Sequence, residues 1–177
     1  MDQVLVAYAT WCGATKEIAE AIAQTLGDEH IAAEARPARE IKDVSPYRAV
    51  ILGTGVHAGQ VHPEAAAFVK AHAQALSRVP VAYFVDCLTM WQDSEENRKE
   101  ASRYLDALGK KAPNVQPVSL GLFGGALNMD TPEYKKLAWP LRLVMKLRKA
   151  QNCDYRDWDK IRAWAREIVP LLAKATD

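Results

Sequence analysis

Cysteine is scarce in this 177-residue sequence, and its three copies lie far apart. Cys12, Cys87 and Cys153 form no Cys-x-x-Cys pair and have no histidine at a zinc-ligand spacing. Zinc sites and disulfide frameworks need cysteines at such spacings, so the sequence predicts neither a bound metal nor structural disulfides. The pattern is typical of a protein that works in a reducing cytosol.

An excess of charge of one sign is also missing. The 23 Lys and Arg residues almost balance the 22 Asp and Glu residues, which gives a formal net charge of +1. The molecule as a whole therefore has no broad electrostatic field that would attract nucleic acid.

Long apolar stretches are absent as well. No segment reaches the roughly 20 apolar residues that a membrane-spanning helix needs. The chain starts on a strand-like pattern, without the charged region, apolar core and cleavage site of a signal peptide. We therefore expect a cytoplasmic protein that does not cross the bilayer, and the length favours a single domain over residues 1–177.

The two commonest nucleotide-binding motifs are missing, but another phosphate-binding pattern is present. Neither Gly-x-x-x-x-Gly-Lys-Ser/Thr nor Gly-x-Gly-x-x-Gly occurs. Instead, an apolar run at residues 4–8 is followed by Thr10-Trp11-Cys12-Gly13-Ala14-Thr15 and then by a helical pattern. The unpaired N–H groups of a first helical turn bind phosphate, and threonine hydroxyls add donors. The alternative is an ordinary turn in which Thr10 is an N-cap and Gly13 eases the bend.

Apolar runs alternate with helical patterns along the whole chain. This alternation predicts βαβ units around a buried parallel sheet, and ligands of such sheets bind beyond the carboxyl ends of the strands. The predicted strands are residues 3–9, 32–36, 49–53, 81–85 and 116–123, and the predicted helices are residues 15–26, 63–75, 94–108 and 158–173. The fold class is therefore an α/β doubly wound sandwich with five parallel strands.

Two further loops are predicted at the same edge of the sheet as the phosphate loop. The first, residues 53–62, is rich in glycine, and backbone groups of Thr54, Gly55 and Val56 could bind the polar rim of a planar ligand. The second, residues 86–91, could bind the same rim while Trp91 covers a ring face. The alternatives are plain: His57 and His62 are solvated or form caps, both loop tryptophans pack locally, and Cys12 and Cys87 fill space.

These motifs resemble one protein family over the whole chain. Residues 5–10 and 15–19, the segment from Gly53 to His62, Phe123-Gly124-Gly125-Ala126-Leu127 and residues 154–168 look like the flavodoxin-type, quinone-linked protoporphyrinogen dehydrogenases of bacteria. The resemblance implies a flavodoxin-like fold with strand order 2-1-3-4-5 and a helical insertion after the fifth strand. It also implies one non-covalent FMN that passes electrons from an organic substrate, such as protoporphyrinogen, to a quinone.

The resemblance and the loops together predict the cofactor-binding residues, although they identify no catalytic acid or base. The predicted set is Thr10, Trp11, Cys12, Gly13, Ala14, Thr15, Thr54, Gly55, Val56, His57, Ala58, Gly59, Asp86, Cys87, Leu88, Trp91, Gly124, Gly125 and Ala126.

Cys12 and Ala14 replace polar residues that are common in such loops, so backbone amides must carry more of the phosphate binding. His57 and Ala58 stand where these dehydrogenases tend to carry a basic and an aromatic residue. Two other functions therefore stay open, a soluble electron carrier that docks on a redox partner protein and a flavin-free binding module.

The segment at residues 128–155 is longer than an ordinary strand-to-helix connection. Within it, Lys135, Arg142, Lys146 and Lys149 recur at helical spacing beside a broad apolar face. A basic amphipathic helix over residues 135–149 could contact an anionic membrane surface peripherally. The alternatives are that its apolar face packs over the flavin loops or against a second subunit.

Overall fold

A computed structural model describes residues 3–147 and 150–173. Its main sheet contains five parallel strands in the order β2-β1-β3-β5-β6. The strands are β1 (Val4–Ala9), β2 (Ala33–Pro37), β3 (Ala49–His57), β5 (Val81–Cys87) and β6 (Ser119–Gly124), and a short β4 (Gln60–Val61) pairs only with β3. The predicted doubly wound fold and its strand order are confirmed.

Helices cover both faces of this sheet. They are α1 (Ala14–Asp28), α2 (Pro63–Leu76), α3 (Glu95–Gly109), α4 (Pro132–Lys136), α5 (Trp139–Leu147), α6 (Trp158–Glu167) and α7 (Val169–Leu172). Side chains alternate along each strand, so Val4 and Val6 of β1 pack in one core cluster and Leu5 and Ala7 in the other. The first cluster includes residues of α1 and α6, and the second includes residues of α2 and α3.

Several predicted boundaries differ from the structure, and the two largest differences have identifiable reasons. Strand β3 continues four residues past Gly53 and forms an antiparallel hairpin with β4. Ala58 and Gly59 make its turn with φ values of 51° and 74°, the paired positive values that a tight hairpin turn requires. The last predicted helix is broken between α6 and α7, because the ring of Pro170 cannot follow a continuous helical turn.

The insertion after β6 is built differently from the single helix predicted over residues 135–149. Two helices, α4 and α5, take its place, because Pro140 lies where a continuous helix would need an N–H donor. Two short strands, β7 (Ala126–Leu127) and β8 (Cys153–Asp154), pair antiparallel and hold the two ends of the insertion together. Lys149, the last basic residue of the predicted helix, lies outside the described residues.

Within residues 3–147 and 150–173, none of the helices is both long enough and apolar enough to cross a membrane.

Candidate functional site

The loop between β1 and α1 has the backbone geometry of an anion-binding turn. Gly13 is the N-cap residue of α1 and adopts a φ of 94°, a left-handed conformation that favours glycine. The Gly13 N–H donates to Thr10 Oγ1 at 2.9 Å, which draws the loop closed. The first-turn N–H groups of a helix have no partners within that helix, so the amides after Gly13 can receive an anion.

A crevice lies beside this loop at the carboxyl edge of the sheet. It is lined by residues from five separate segments of the chain, namely Thr10, Trp11, Cys12, Ala14, Thr15, Gly55, Val56, His57, Asp86, Cys87, Leu88, Gly125, Ala126, Leu127 and Met145. Most of the predicted cofactor-binding residues are therefore brought together. Gly13, Thr54, Ala58, Gly59, Trp91 and Gly124 are not among the lining residues.

Two glycines let the segments approach each other closely. A Cβ on Gly55 would lie 3.0 Å from Thr15 Oγ1, and a Cβ on Gly125 would lie 3.1 Å from the backbone of Cys87. The Gly125 N–H also donates to the Cys87 carbonyl oxygen at 3.0 Å. Side chains at these two positions would crowd the walls of the crevice, so backbone groups reach its surface directly.

A family model described as "Flavodoxin domain" matches residues 5–159 of this sequence. The chain belongs to the flavodoxin domain family. The matched residues include the loop between β1 and α1, the insertion and every other segment that lines the crevice.

Among curated proteins, this flavodoxin-family chain is similar to the protoporphyrinogen IX dehydrogenase [quinone] of Escherichia coli K12. The two are 27% identical, and the alignment covers 98% of each chain. A protein of the same name from Leishmania major is 28% identical, over 94% of this chain and 74% of that protein. Among solved structures, a short-chain flavodoxin associated with a non-canonical PDU bacterial microcompartment has a TM-score of 0.61 at 10% identity. The structural alignment covers 98% of this chain and 100% of that flavodoxin, which shows a similar fold.

Trp11 and Trp91, the two tryptophans predicted at the site, have different surroundings. Trp11 packs against the ring of His62, with centroids 4.2 Å apart, and against His57 at 5.5 Å. Its indole nitrogen is buried and has no hydrogen-bond partner in the described part of the chain. Trp91 is 61% exposed and lies outside the crevice lining. The structure therefore places Trp11, and not Trp91, beside the crevice.

His62 has the capping role that the sequence left open as an alternative. Its Nδ1 accepts a hydrogen bond from the Glu64 N–H at 3.2 Å, at the start of α2. Burial lowers the pKa of His62, which favours the neutral ring that this acceptor role requires. Thr54 is also used locally, since its hydroxyl oxygen accepts the His62 N–H at 3.0 Å.

Asp86 is the charged residue that the fold buries at the end of β5. It is 5% exposed, and its Oδ1 atom has no hydrogen-bond partner among the described residues. Desolvation raises the pKa of Asp86 to about 7, against smaller lowering effects of the Thr15 hydroxyl and the Arg156 charge. Near neutral pH this carboxyl is therefore part neutral and part ionised.

The two cysteines of the crevice are neutral thiols. Desolvation by burial raises the pKa of Cys12 and of Cys87 to about 11 in each case, and the negative charge of Asp86 acts in the same direction. Both side chains therefore fill space at neutral pH.

A larger cleft of about 440 Å³ lies on the other side of Thr10 and Trp11, which line both cavities. Its lining includes the basic residues Lys16, Arg39 and Lys136, together with Glu64, Glu133, His62 and Tyr8. The insertion closes one side of this cleft and also contacts the loop between β1 and α1, where Thr131 Oγ1 donates to the Cys12 carbonyl oxygen at 3.2 Å.

Sequence reasoning missed two residues of the crevice, Leu127 and Met145. Leu127 follows the predicted glycine pair directly, so its position in the loop was the available signal. Met145 belongs to the apolar stripe of the insertion, and the helical spacing of that stripe could not say which member turns inward. Its place in the lining agrees with the alternative in which part of that apolar face packs over the loops of its own chain.

Proposed function

We propose that this protein is an FMN-dependent oxidoreductase that passes electrons from an organic substrate to a quinone. The observation that carries the proposal is that the loop at Gly13, which leads into the first turn of α1, lines the same crevice as the loops after β3, β5 and β6. That arrangement suits a ligand with a phosphate at one end and a flat ring system at the other.

The residues present fit FMN on physical grounds. The amides that follow Gly13 would bind the phosphate, and the close approach of Gly55 and Gly125 would let a flat ring contact backbone groups. The unpartnered polar atoms of Trp11 and Asp86 would face polar groups of the cofactor. When bound, FMN supplies the electron-transfer chemistry of its isoalloxazine ring. Leu127 and Met145 would exclude water from the crevice.

The larger cleft has three basic and two acidic residues in its lining, and this small excess of positive charge supports an anionic organic substrate next to the cofactor. Lys16, Arg39 and Lys136 could bind carboxylates, and protoporphyrinogen, which the similar curated proteins are named for, carries two propionate groups. Because Thr10 and Trp11 line both cavities, a substrate held there would be separated from the flavin by one layer of side chains.

Helix α5 supports access to a quinone dissolved in a membrane. Trp139, Leu143 and Leu147 are exposed at successive helical turns, at 69%, 44% and 72%, and Arg142 and Lys146 lie on the same short helix. Exposed apolar residues with flanking basic ones are typical of helices that lie at an anionic membrane surface. Peripheral contact through this helix would bring the crevice, which Met145 of the same helix lines, close to the bilayer.

The first test is the cofactor itself. We expect the purified protein to be yellow, to release FMN on denaturation, and to reduce a quinone when given protoporphyrinogen IX without oxygen. Ala126→Trp would fill the crevice and abolish FMN retention, whereas Val118→Trp, at an exposed position outside the lining, would retain it.

The other outcomes separate the alternatives. Bound FMN without quinone reduction would overturn the dehydrogenase proposal in favour of a soluble electron carrier. A colourless protein that binds no added FMN would overturn flavin chemistry altogether and favour a binding module.

A further inference from the structure

The buried carboxyl of Asp86 is a costly feature that the fold alone does not explain. Its β5 register places it between Gly55 of β3 and Phe123 of β6, at the carboxyl ends of the central strands. Asp86 is one of the residues that line the crevice, and its buried Oδ1 atom has no partner in the described residues. Leaving a buried carboxylate oxygen without a hydrogen bond is unfavourable, so a group that binds in the crevice is the natural partner.

The position of Asp86 relates it to the phosphate end of the crevice. The Thr15 hydroxyl is one of the groups that lower the pKa of Asp86, and Thr15 lies in the first turn of α1 directly after the loop at Gly13. A phosphate monoester held by that turn would therefore bring up to two negative charges close to Asp86.

The other charged and titratable groups near Asp86 offer little compensation. Cys12 and Cys87 are neutral thiols, and the lining also includes His57. Arg156 is the positive charge that acts on Asp86, but its guanidinium already donates to Glu17 at 2.6 Å and to Asp154 at 2.6 Å. An ionised Asp86 and a bound phosphate would thus repel each other across a poorly hydrated space.

We propose that Asp86 couples FMN binding to the uptake of a proton. The crevice then binds FMN when the Asp86 carboxyl is protonated and neutral. The proposal rests on the proposed function, in which the crevice holds FMN. Protonation removes the repulsion and turns the carboxyl into a donor for a polar group of the cofactor. FMN then binds more weakly as the pH rises, by up to about tenfold per pH unit where one proton is taken up.

The test compares FMN affinity in wild-type protein and in Asp86→Asn, by calorimetry of the flavin-free protein between pH 6 and 8.5. Ionisation of the FMN phosphate near pH 6 affects both proteins alike, so the ratio of their FMN affinities isolates Asp86. We expect the ratio of the two FMN affinities to change by at least tenfold between pH 6 and 8.5. Asp86→Asn should bind FMN more tightly than wild type at pH 8.5.

Two further measurements make the test sharper. Titrations in buffers of different ionisation enthalpy should show proton uptake by wild-type protein at pH 7.5 and a smaller uptake by Asp86→Asn. Riboflavin, which lacks the phosphate, should show a much shallower difference between the two proteins.

Glu133→Gln is the matched control, because the Glu133 carboxylate lies near the same loop, with Oε2 3.5 Å from the position of a Cβ on Gly13, but is only partly buried. We expect it to change FMN affinity by the same factor at every pH. If Asp86→Asn fails to fold, Asp86→Ser replaces it in the same comparison. Equal pH dependence in wild type and variant would overturn this inference while leaving the flavin proposal intact. Absence of FMN binding by both proteins at every pH would overturn the proposed function instead.

Discussion

Asp86 makes two properties of the protein depend on pH, namely its stability and its affinity for a ligand. In the unfolded chain its carboxyl ionises with an ordinary pKa of about 3.9, whereas burial raises the pKa of Asp86 to about 7 in the fold. Between these values the folded state holds a proton that the unfolded state has lost. The contribution of this group to stability therefore falls as the pH rises from about 4 to 7, by about 1.4 kcal/mol per pH unit.

Asp86→Asn should remove this dependence. We expect the melting temperature of the variant, without added flavin, to exceed that of wild type by a margin that grows between pH 4.5 and pH 7.5. Thermal unfolding followed by circular dichroism measures it. Asp106→Asn, which changes an exposed carboxylate of α3, should show no such growing margin. A constant difference between Asp86→Asn and wild type would contradict the raised pKa.

At this scale the sequence predicted the types of residue at the site better than their environments. Asp86, Cys87 and Trp11 were all predicted to lie at the crevice. That Asp86 loses its hydration, or that Trp11 packs on His62, depends on distances between segments far apart in the chain. No local pattern encodes those distances.

The antiparallel strand pair of β7 and β8 is the element that holds the insertion in place. Gly124 lies against it so closely that a Cβ would be 1.9 Å from the Tyr155 carbonyl oxygen. The Tyr155 N–H also donates to the Gly125 carbonyl oxygen at 3.0 Å. Arg156, which follows directly, connects this end of the insertion to Glu17 of α1.

Gly124→Ala should therefore loosen the insertion from the sheet. We expect a loss of stability of about 1–3 kcal/mol, the usual cost of overpacking. Amide protection should fall in β7 and β8 when hydrogen exchange is measured by mass spectrometry. Gly109→Ala is the control, because a Cβ there meets nothing within 4 Å. Unchanged amide protection in β7 and β8 would mean that this strand pair does not depend on the Gly124 contact.

The basic residues of α5 should govern attachment to anionic membranes. Neutralising Arg142 and Lys146 to glutamine removes about 1 kcal/mol of attraction each, so vesicle partitioning should fall about thirtyfold. Flotation with phosphatidylserine-containing liposomes measures this. Neutralising Lys110 and Lys111, exposed residues at the end of α3, is the control and should have a much smaller effect. Equal losses in the two double variants would indicate attraction by overall charge and not by α5.

Elements with a strong periodicity were predicted well, and elements set by long-range pairing were not. Helix α3 was predicted over residues 94–108, and in the structure Ser94 caps its start by accepting the Asn97 N–H at 3.2 Å. The two-residue strands β4, β7 and β8 were missed, because strands this short carry no alternation that a sequence can show. Pro140 was a signal that the predicted helix over residues 135–149 is interrupted. The regular spacing of the basic residues nevertheless favoured one continuous helix.

At the scale of the whole molecule, cofactor binding should appear as added stability. A ligand that binds only the folded chain stabilises it by about 2.7 kcal/mol at one hundred times its dissociation constant. We therefore expect FMN to raise the melting temperature, and to do so more at pH 6.5 than at pH 8.5 if Asp86 must be protonated. Differential scanning calorimetry with FMN and, as a control, AMP separates flavin binding from simple phosphate binding.

The fold was predictable as a whole because each strand-to-helix unit has its own signal and such units assemble in few ways. The site was predictable only to the level of loops, since the same edge of the sheet gathers all of them. The larger cleft was less accessible still, because Lys16, Arg39 and Lys136 come from the first helix, the segment that follows the second strand and the insertion.

The packing of Trp11 on His62 has a practical consequence. Among the five tryptophans, all of which lie in the described part of the chain, Trp11 is the one that lines the crevice. An oxidised isoalloxazine in van der Waals range would quench Trp11 by electron transfer, in addition to the energy transfer that it accepts from all the indoles over longer distances. The difference in quenching between wild type and Trp11→Phe isolates this contact, which makes the residue a built-in optical gauge of occupancy.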